Sequence, residues 1–360
     1  MTYLDYAATT PICEAAKKAI IEHLDYFGNP SSSYDLGHKS KILIEDARAK
    51  IAECIHAEPD EIYFTSGGSE ANSWVINGRI RSLASSIEHH SINPTYKFSV
   101  EDTGIADVKC VDKVLNIYTP ARILSCMTVN NEIGTIQPIK ELAKIAHKNN
   151  ILFHTDAVQA VGHIPIDVNY IGCDMLSASG HKFGAPKGVG FLYVKDKVAP
   201  PSSIIYGGKQ ERGFRGGTEN VLGIIAMAAA LEDAVNNMVF RNTYLWELRS
   251  KLIESLLDVE GIHINGSFND RVVSNINIRI DGVKGEDVVA MADHYGIYIS
   301  SGSACNEGNA KPSHVLKAIG LTDEEALSSI RITLGHQNTF EEIELACDIL
   351  PKIIERLRAF

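Results

Sequence analysis

Lys182 closes the run Ser177-Ala178-Ser179-Gly180-His181-Lys182 and opens onto Gly184-Ala185-Pro186-Lys187-Gly188-Val189-Gly190. A lysine that is to act as a nucleophile must present a neutral amine, which requires a rigid mount and partial shelter from water. The preceding residues would supply the mount as a strand, and the serines and glycines leave room for a phosphate to approach. Taken by itself, the same motif also reads as a solvated lysine in a Gly/Pro-rich turn.

Three other stretches carry groups suited to the same chemistry. Phe64-Thr65-Ser66-Gly67-Gly68-Ser69-Glu70-Ala71-Asn72 follows a predicted strand and opens a helix, so its free N–H groups could bind an anion. It does not match G-x-x-x-x-G-K-[ST], which argues against a nucleotide P-loop, and a plain turn capped by Ser66 or Ser69 is the alternative. Phe153-His154-Thr155-Asp156-Ala157-Val158-Gln159 places an acid just beyond an apolar strand, where open α/β sheets bind ligands. There Asp156 could keep a pyridine nitrogen protonated and Gln159 could donate to a phenolate oxygen, or Asp156 could simply cap a helix. Glu88-His89-His90-Ser91 offers an imidazole that can stack on a flat ring and exchange protons near neutral pH, although such a pair is also a common structural or exposed feature.

Seven cysteines (13, 54, 110, 126, 173, 305 and 347) show no C-x-x-C spacing. That disfavours a zinc knuckle and a disulfide framework, so no metal is expected, and it suits a reducing compartment. Cys126 and Cys173 lie in or beside apolar runs and read as packing residues. Cys305 differs: Ser300-Ser301-Gly302-Ser303-Ala304-Cys305 continues into Asn306-Glu307-Gly308-Asn309-Ala310-Lys311, with few apolar neighbours, as a reactive thiol requires.

The elements that must position these residues alternate strand and helix through the first two thirds, which predicts an α/β fold with a largely parallel sheet. Residues 61–65, 122–129, 151–155 and 189–194 read as strands, and 69–80 and 139–148 as helices, the latter with Leu142, Ile145 and Ala146 on one face. Leu43, Ala47, Ile51 and Ile55 mark an earlier helix. A long helical stretch from Asn220 runs past Asn237 into Leu245, Leu248, Leu252 and Leu256, and is expected to bridge two domains. Strands at 274–280 and 329–334, a helix at 286–294 and a last helix with Ile343, Cys347, Leu350 and Ile354 then describe an α+β unit.

Composition narrows the function. A hydrophobic share of 45% with 22% charged residues fits an ordinary soluble globular enzyme, and the net charge of −11 argues against a phosphate-backbone-binding surface. The apolar run 221–231 stops at Glu232 and Asp233, short of the roughly 20 residues of a membrane span. The start has no basic leader with an apolar core behind it, so the expected location is cytoplasmic.

In order and approximate spacing these pieces resemble the class V, fold-type I pyridoxal-phosphate enzymes, and the chain is similar to the cysteine desulfurases. The likeness runs from Tyr3-Leu4-Asp5-Tyr6-Ala7-Ala8-Thr9-Thr10-Pro11 to Ser329-Ile330-Arg331 and takes in Gly28-Asn29-Pro30-Ser31-Ser32, Val129-Asn130-Asn131-Glu132-Ile133-Gly134 and Arg212-Gly213-Phe214-Arg215-Gly216-Gly217-Thr218-Glu219-Asn220. The segment around Cys305 resembles the family's active-site segment, and the distance to Pro312 resembles the long-loop subgroup. The resemblance implies a large, mostly parallel-sheet domain (15–255) and a smaller α+β domain (1–14 and 256–360) carrying the catalytic cysteine. It further implies Lys182 as the Schiff-base lysine, His89 stacked on the cofactor, Asp156 at the pyridine nitrogen and Gln159 at the phenolate. Gly68, Ser69, Ser179 and His181 would cradle the phosphate, completed by Thr218 from a second subunit of a homodimer, and Asn131 and Arg331 would hold the substrate carboxylate.

The reaction so implied takes sulfur from L-cysteine, leaves alanine, and places a persulfide on Cys305 for an acceptor protein in iron–sulfur cluster assembly or in tRNA or cofactor thiolation. An aminotransferase or a selenocysteine/cysteine lyase of the same fold is the alternative, and a non-catalytic sulfur-handling scaffold is the alternative of another class. Three departures from the family pattern stand out: a shortened stretch between His89 and Asn131, His336 where relatives carry a second arginine, and no docking tail after the last helix.

Overall fold

Short apolar strands separated by amphipathic helices build one central sheet. The computed structural model describes residues 1–76, 81–117, 121–301 and 311–359. After β1 (Thr2–Tyr3) come β2 (Ile62–Thr65), β3 (Ser82–Ser85), β4 (Tyr96–Phe98), β5 (Ile123–Ser125), β6 (Leu152–Asp156), β7 (Met175–Ser179) and β8 (Gly190–Val194). The last seven form a sheet in the order β2-β8-β7-β6-β5-β3-β4. Every neighbouring pair is parallel except those of β8, which runs antiparallel to both β2 and β7. Strands β2, β3, β5, β7 and β8 are buried along their whole length, as expected where helices cover both faces.

This topology decides where the chemistry gathers. Asp156 ends β6 and Ser179 ends β7, and these strands are parallel, so both residues reach the same edge of the sheet. Because β2 is antiparallel to β8, Thr65 pairs with Gly190, which itself pairs with Ser179. The Gly67-Gly68 turn therefore lands at that edge too. A Cβ on Gly190 would sit 2.5 Å from the Ala178 carbonyl oxygen and 2.7 Å from the Gly67 Cα, so only glycine permits this approach.

The remainder forms β9 (Ile262–Ile264), β10 (Asn275–Ile280), β11 (Ile297–Tyr298), β12 (Ser300–Ser301) and β13 (Ser329–Thr333). Four of these make an antiparallel sheet ordered β12-β13-β10-β9, while β1 pairs with β11. A second apolar core under this sheet combines Leu4 with Leu248, Leu252, Leu256, Ile278 and Ile332. Each buried leucine or isoleucine there contributes about 1.5–3 kcal/mol, enough to hold the N-terminal strand on the C-terminal unit.

Helices Val221–Asn236 and Met238–Leu257 meet at 70°, the first filling the main core and the second supplying the leucines of the other. Among the described residues no single helix is long and apolar enough to cross a membrane. The predicted strand 122–129 is shorter than expected, ending at Ser125 before the chain turns at residues 130–134. Of the predicted helix 69–80, Gly68–Ile76 is seen and 77–80 lie outside the described residues.

Candidate active site

Lys182 ends a single 3-10 turn, Gly180–Lys182, directly after β7. Its Nζ donates to the carbonyls of Ala7 and Ala8 at 2.6 and 2.8 Å. Burial and the nearby Arg331 charge bring the amine down to about 8, against the opposing pull of Asp5 and Asp156. The N-terminal segment holds the loop in place: the Thr10 hydroxyl and N–H both donate to the His181 carbonyl at 3.0 Å, and His163 donates from Nε2 to the Lys182 carbonyl at 2.9 Å. His181 contacts the Thr9 hydroxyl through Nδ1 at 3.1 Å, and burial pushes its ring down to about 4, leaving it neutral.

A lysine depressed to about 8 is mostly protonated below that pH and neutral above it. Reaction of this amine with an added aldehyde is therefore expected to quicken about tenfold per pH unit up to about 8 and then to level off. Stopped-flow absorbance across pH 6 to 10 checks this, and a rise continuing to the ordinary lysine range would contradict it.

Asp156 is buried at the end of β6. One carboxylate oxygen accepts from the Val158 N–H at 2.9 Å and the other from Asn72 Nδ2 at 2.6 Å. Burial raises its pKa, and these two bonds with the neighbouring His89 and Lys182 act in the opposite sense. The second Asn72 N–H reaches the Ser91 hydroxyl at 2.9 Å. Ser91 in turn donates to His89 Nδ1 from its hydroxyl at 2.8 Å and from its N–H at 3.1 Å. With two donors on Nδ1, the network assigns the His89 proton to Nε2. His89 is exposed overall, yet desolvation of the ring edge turned to the protein lowers its basicity.

The helix Gly68–Ile76 opens between these groups. Gly67 has φ of +152°, and a Cβ on Gly68 would lie 2.4 Å from Val158 Cγ2, so this turn tolerates no side chain on either residue. Ser179 is buried against it and Ser69 is exposed in the first turn. Glu70 accepts from the Ser66 N–H at 2.7 Å and takes Arg215 in two bonds of 2.9 and 3.1 Å. Burial pulls the Glu70 carboxyl up, but Arg215 and Ser66 outweigh it, so the acid is ionised and its charge is matched.

Arg215 is itself placed by a buried pair in which Glu211 receives Arg48 Nη1 and Nη2 at 2.9 Å each and the Phe64 N–H at 2.9 Å. Holding Glu211 and Arg212 there puts both at positive φ, 43° and 58°. The same loop carries Thr218 outward to an exposed position.

Arg331, on β13, donates to the Asn131 carbonyl at 3.0 Å and to Asp5 Oδ1 at 2.8 Å. Gln159 donates to the Ala7 carbonyl at 2.9 Å. All of the sequence-expected residues except Cys305 are thus described, and Lys182, His89, Asp156, Arg331, Asn131 and Gln159 are linked by hydrogen bonds or by charge effects. Cys305 lies outside the described residues, although Ser300 immediately before its segment pairs with Arg331. Sequence reasoning missed Asn72, Ser91 and Asp5. Asn72 and Ser91 stand at the ends of two runs whose other residues carry the evident chemistry, and Asp5 sits in the N-terminal motif, but no periodicity signals their partners.

The donor set fits pyridoxal phosphate: a helix start free of side chains for a phosphate, a buried acid for a ring nitrogen, and a lysine of lowered basicity between them. The family description Aminotransferase class-V matches residues 2–345. A cysteine desulfurase IscS from Methanosarcina thermophila is 42% identical over 376 residues, covering 99% of this chain and 92% of its own. Among solved structures, a NifS-like protein from Rickettsia africae superposes with a TM-score of 0.91 at 31% identity, covering 99% of both chains. SspA in complex with cysteine gives a TM-score of 0.82 at 32% identity, covering 94% of this chain and all of its own.

Proposed function

Since the chain belongs to the class-V aminotransferase family and, within it, to the cysteine desulfurases, we propose that it is a pyridoxal-phosphate-dependent enzyme that moves sulfur from L-cysteine onto Cys305. The observation that carries this reading is the convergence, at one edge of the sheet, of a low-basicity Lys182, the buried Asp156 and the side-chain-free helix start at Gly67-Gly68. Incubation with L-cysteine, followed by alanine measurement and intact mass, tests it. Alanine with one added sulfur atom on the protein is expected, and either product missing would overturn it.

Bound in this site, pyridoxal phosphate supplies an electron-withdrawing ring that eases proton loss from the substrate Cα. Gly68, Ser69, Ser179 and His181 would hold the phosphate, and Thr218 of a second subunit would complete the cradle. Asp156 would keep a proton at the ring nitrogen, Gln159 would donate to the ring oxygen, and His89 would stack on the ring. Lys182 would hold the cofactor, and its amine, of lowered basicity, would take and return the substrate Cα proton. Arg331 and Asn131 receive the substrate carboxylate, for which the planar guanidinium is suited. The Cys305 thiolate attacks the substrate sulfur, an S–S bond forms and the C–S bond breaks. Summed over the turnover, cysteine and the Cys305 thiol become alanine and a Cys305 persulfide. His89 Nε2 is the group that gives or takes the thiol proton.

Two units are assigned to 15–255 and to 1–14 with 256–360; two separate main cores support the number of units, but Leu245, Leu248, Leu252 and Ile253 pack in the second core and Cys13 in the first, which draws the junction back to the break at Asn237. An acceptor protein then takes the sulfur. A reducing cytoplasm suits both the persulfide and the six described free thiols. A homodimer is supported by the exposed apolar side chains Ile21, Leu24, Phe27, Tyr34, Leu36 and Ile42 on one stretch of the N-terminal region. Sedimentation equilibrium is expected to give twice the chain mass, and Thr218→Ala to weaken pyridoxal-phosphate retention about 10- to 100-fold, the worth of one hydrogen bond to a charged group. A monomer with retention unchanged in Thr218→Ala would sink this part of the reading.

A further inference from the structure

Two consecutive residues just beyond the Cys305 segment make contacts that the chemistry above leaves unused. Ser313 is buried, and its hydroxyl donates to Glu132 Oε2 at 2.5 Å. The Ser313 oxygen also accepts the N–H groups of Val315 and Leu316 at 3.1 and 3.3 Å, capping the helix His314–Ala318. His314 donates from Nε2 to the Glu88 carbonyl at 2.9 Å, and its ring stands 4.6 Å from that of His90. The dipeptide thus grips the neighbour of Asn131 with one residue and the neighbour of His89 with the next.

Glu132 is a firm partner. It is buried, its N–H goes to Asn130 Oδ1 at 2.8 Å, and its carbonyl accepts Asn275 and Asn277 Nδ2 at 3.0 and 3.1 Å. Beside it the Asn131 carbonyl is fixed by Arg331. Below, Val315, Leu316 and Ile319 pack with Ile87, Met127 and Ile133, so the capped helix is pressed onto both turns by an apolar layer.

We propose that Ser313 and Glu132 are positioning residues for the turn that receives the substrate carboxylate. The bond between them locks the start of helix His314–Ala318 onto the turn carrying Asn131. This rests on the desulfurase reading. A one-ångström misplacement of the bound substrate costs up to about 100-fold in rate, which makes a remote anchor of this kind consequential.

The test uses pyridoxal-phosphate-loaded protein with Ser313→Ala, Glu132→Ala, the double variant and Glu132→Gln. Single-turnover persulfide formation on Cys305 is followed by intact mass, alongside kcat and KM for L-cysteine and the thermal midpoint. Ser313→Ala and Glu132→Ala are each expected to slow persulfide formation about 10- to 100-fold, mainly in kcat, with the cofactor retained. The double variant should be no slower than the worse single one, because both remove the same bond. Glu132→Gln, whose amide oxygen still accepts the Ser313 hydroxyl and which keeps the buried volume, should recover most of the rate. Losses that multiply in the double variant, or a Glu132→Gln as slow as Glu132→Ala, would overturn the pairing while leaving desulfuration in place. Wild-type protein that releases no alanine would overturn both.

Discussion

Lys182→Ala is expected to abolish turnover and to leave no pyridoxyl group attached to the chain. Removing a positioned acid–base group alone costs about 10²–10⁴-fold, and this variant also loses the covalent anchor, so a loss beyond about 10⁴-fold is expected. The fold has little reason to fail, since Nζ gives up only two bonds to the Ala7 and Ala8 carbonyls. Lys182→Arg separates charge from chemistry: guanidinium stays protonated and cannot serve as a nucleophile, so it should be as inactive as alanine. Borohydride trapping and peptide mapping provide the direct readout. A label on Lys187, which is exposed on the same loop, would move the anchor to that residue and overturn the role of Lys182.

The second large effect belongs to Cys305→Ser. The cofactor should be retained, yet neither persulfide nor transferable sulfur should accumulate, because a hydroxyl is a far weaker nucleophile at neutral pH than a partly ionised thiol. No other cysteine is expected to substitute for it. Burial pushes the Cys54 thiol up to about 11 and raises those of Cys126 and Cys173 further above the ordinary value, so none of these supplies much thiolate. Serine at Cys126 or Cys173 should cost stability, measurable by thermal melting, and leave persulfide formation on Cys305 in place. Alanine released by Cys305→Ser at the wild-type rate would reassign the protein as a lyase.

The residues behind both variants are legible in the sequence itself, and the reason is local. Lys182, Asp156, Gly67-Gly68 and Cys305 each sit in a short run of distinctive residue types, so each can be picked out as a candidate in one dimension. The main strands and helices are legible for a similar reason, since long apolar or 3.6-period runs carry their own signal. Strands β3 and β4 escape such a reading because three or four residues with serine, lysine or tyrosine carry almost none, and the helix Val108–Ile117 that follows them stands where no element was expected.

Long-range partnership was decided by tertiary structure alone. Asp5 meets Arg331 across 326 positions, Asn72 joins Asp156 to Ser91 and His89, and Ser313 finds Glu132 across 181. Hydrogen bonds act over about 3 Å and are indifferent to separation along the chain, so no spacing rule anticipates them. Charge state follows the same logic. The sequence determined that a lysine stands at residue 182, but burial under the Ala7-Ala8 segment and the approach of Arg331 bring its amine down to about 8, because solvation and neighbouring charge belong to the folded surroundings rather than to the residue.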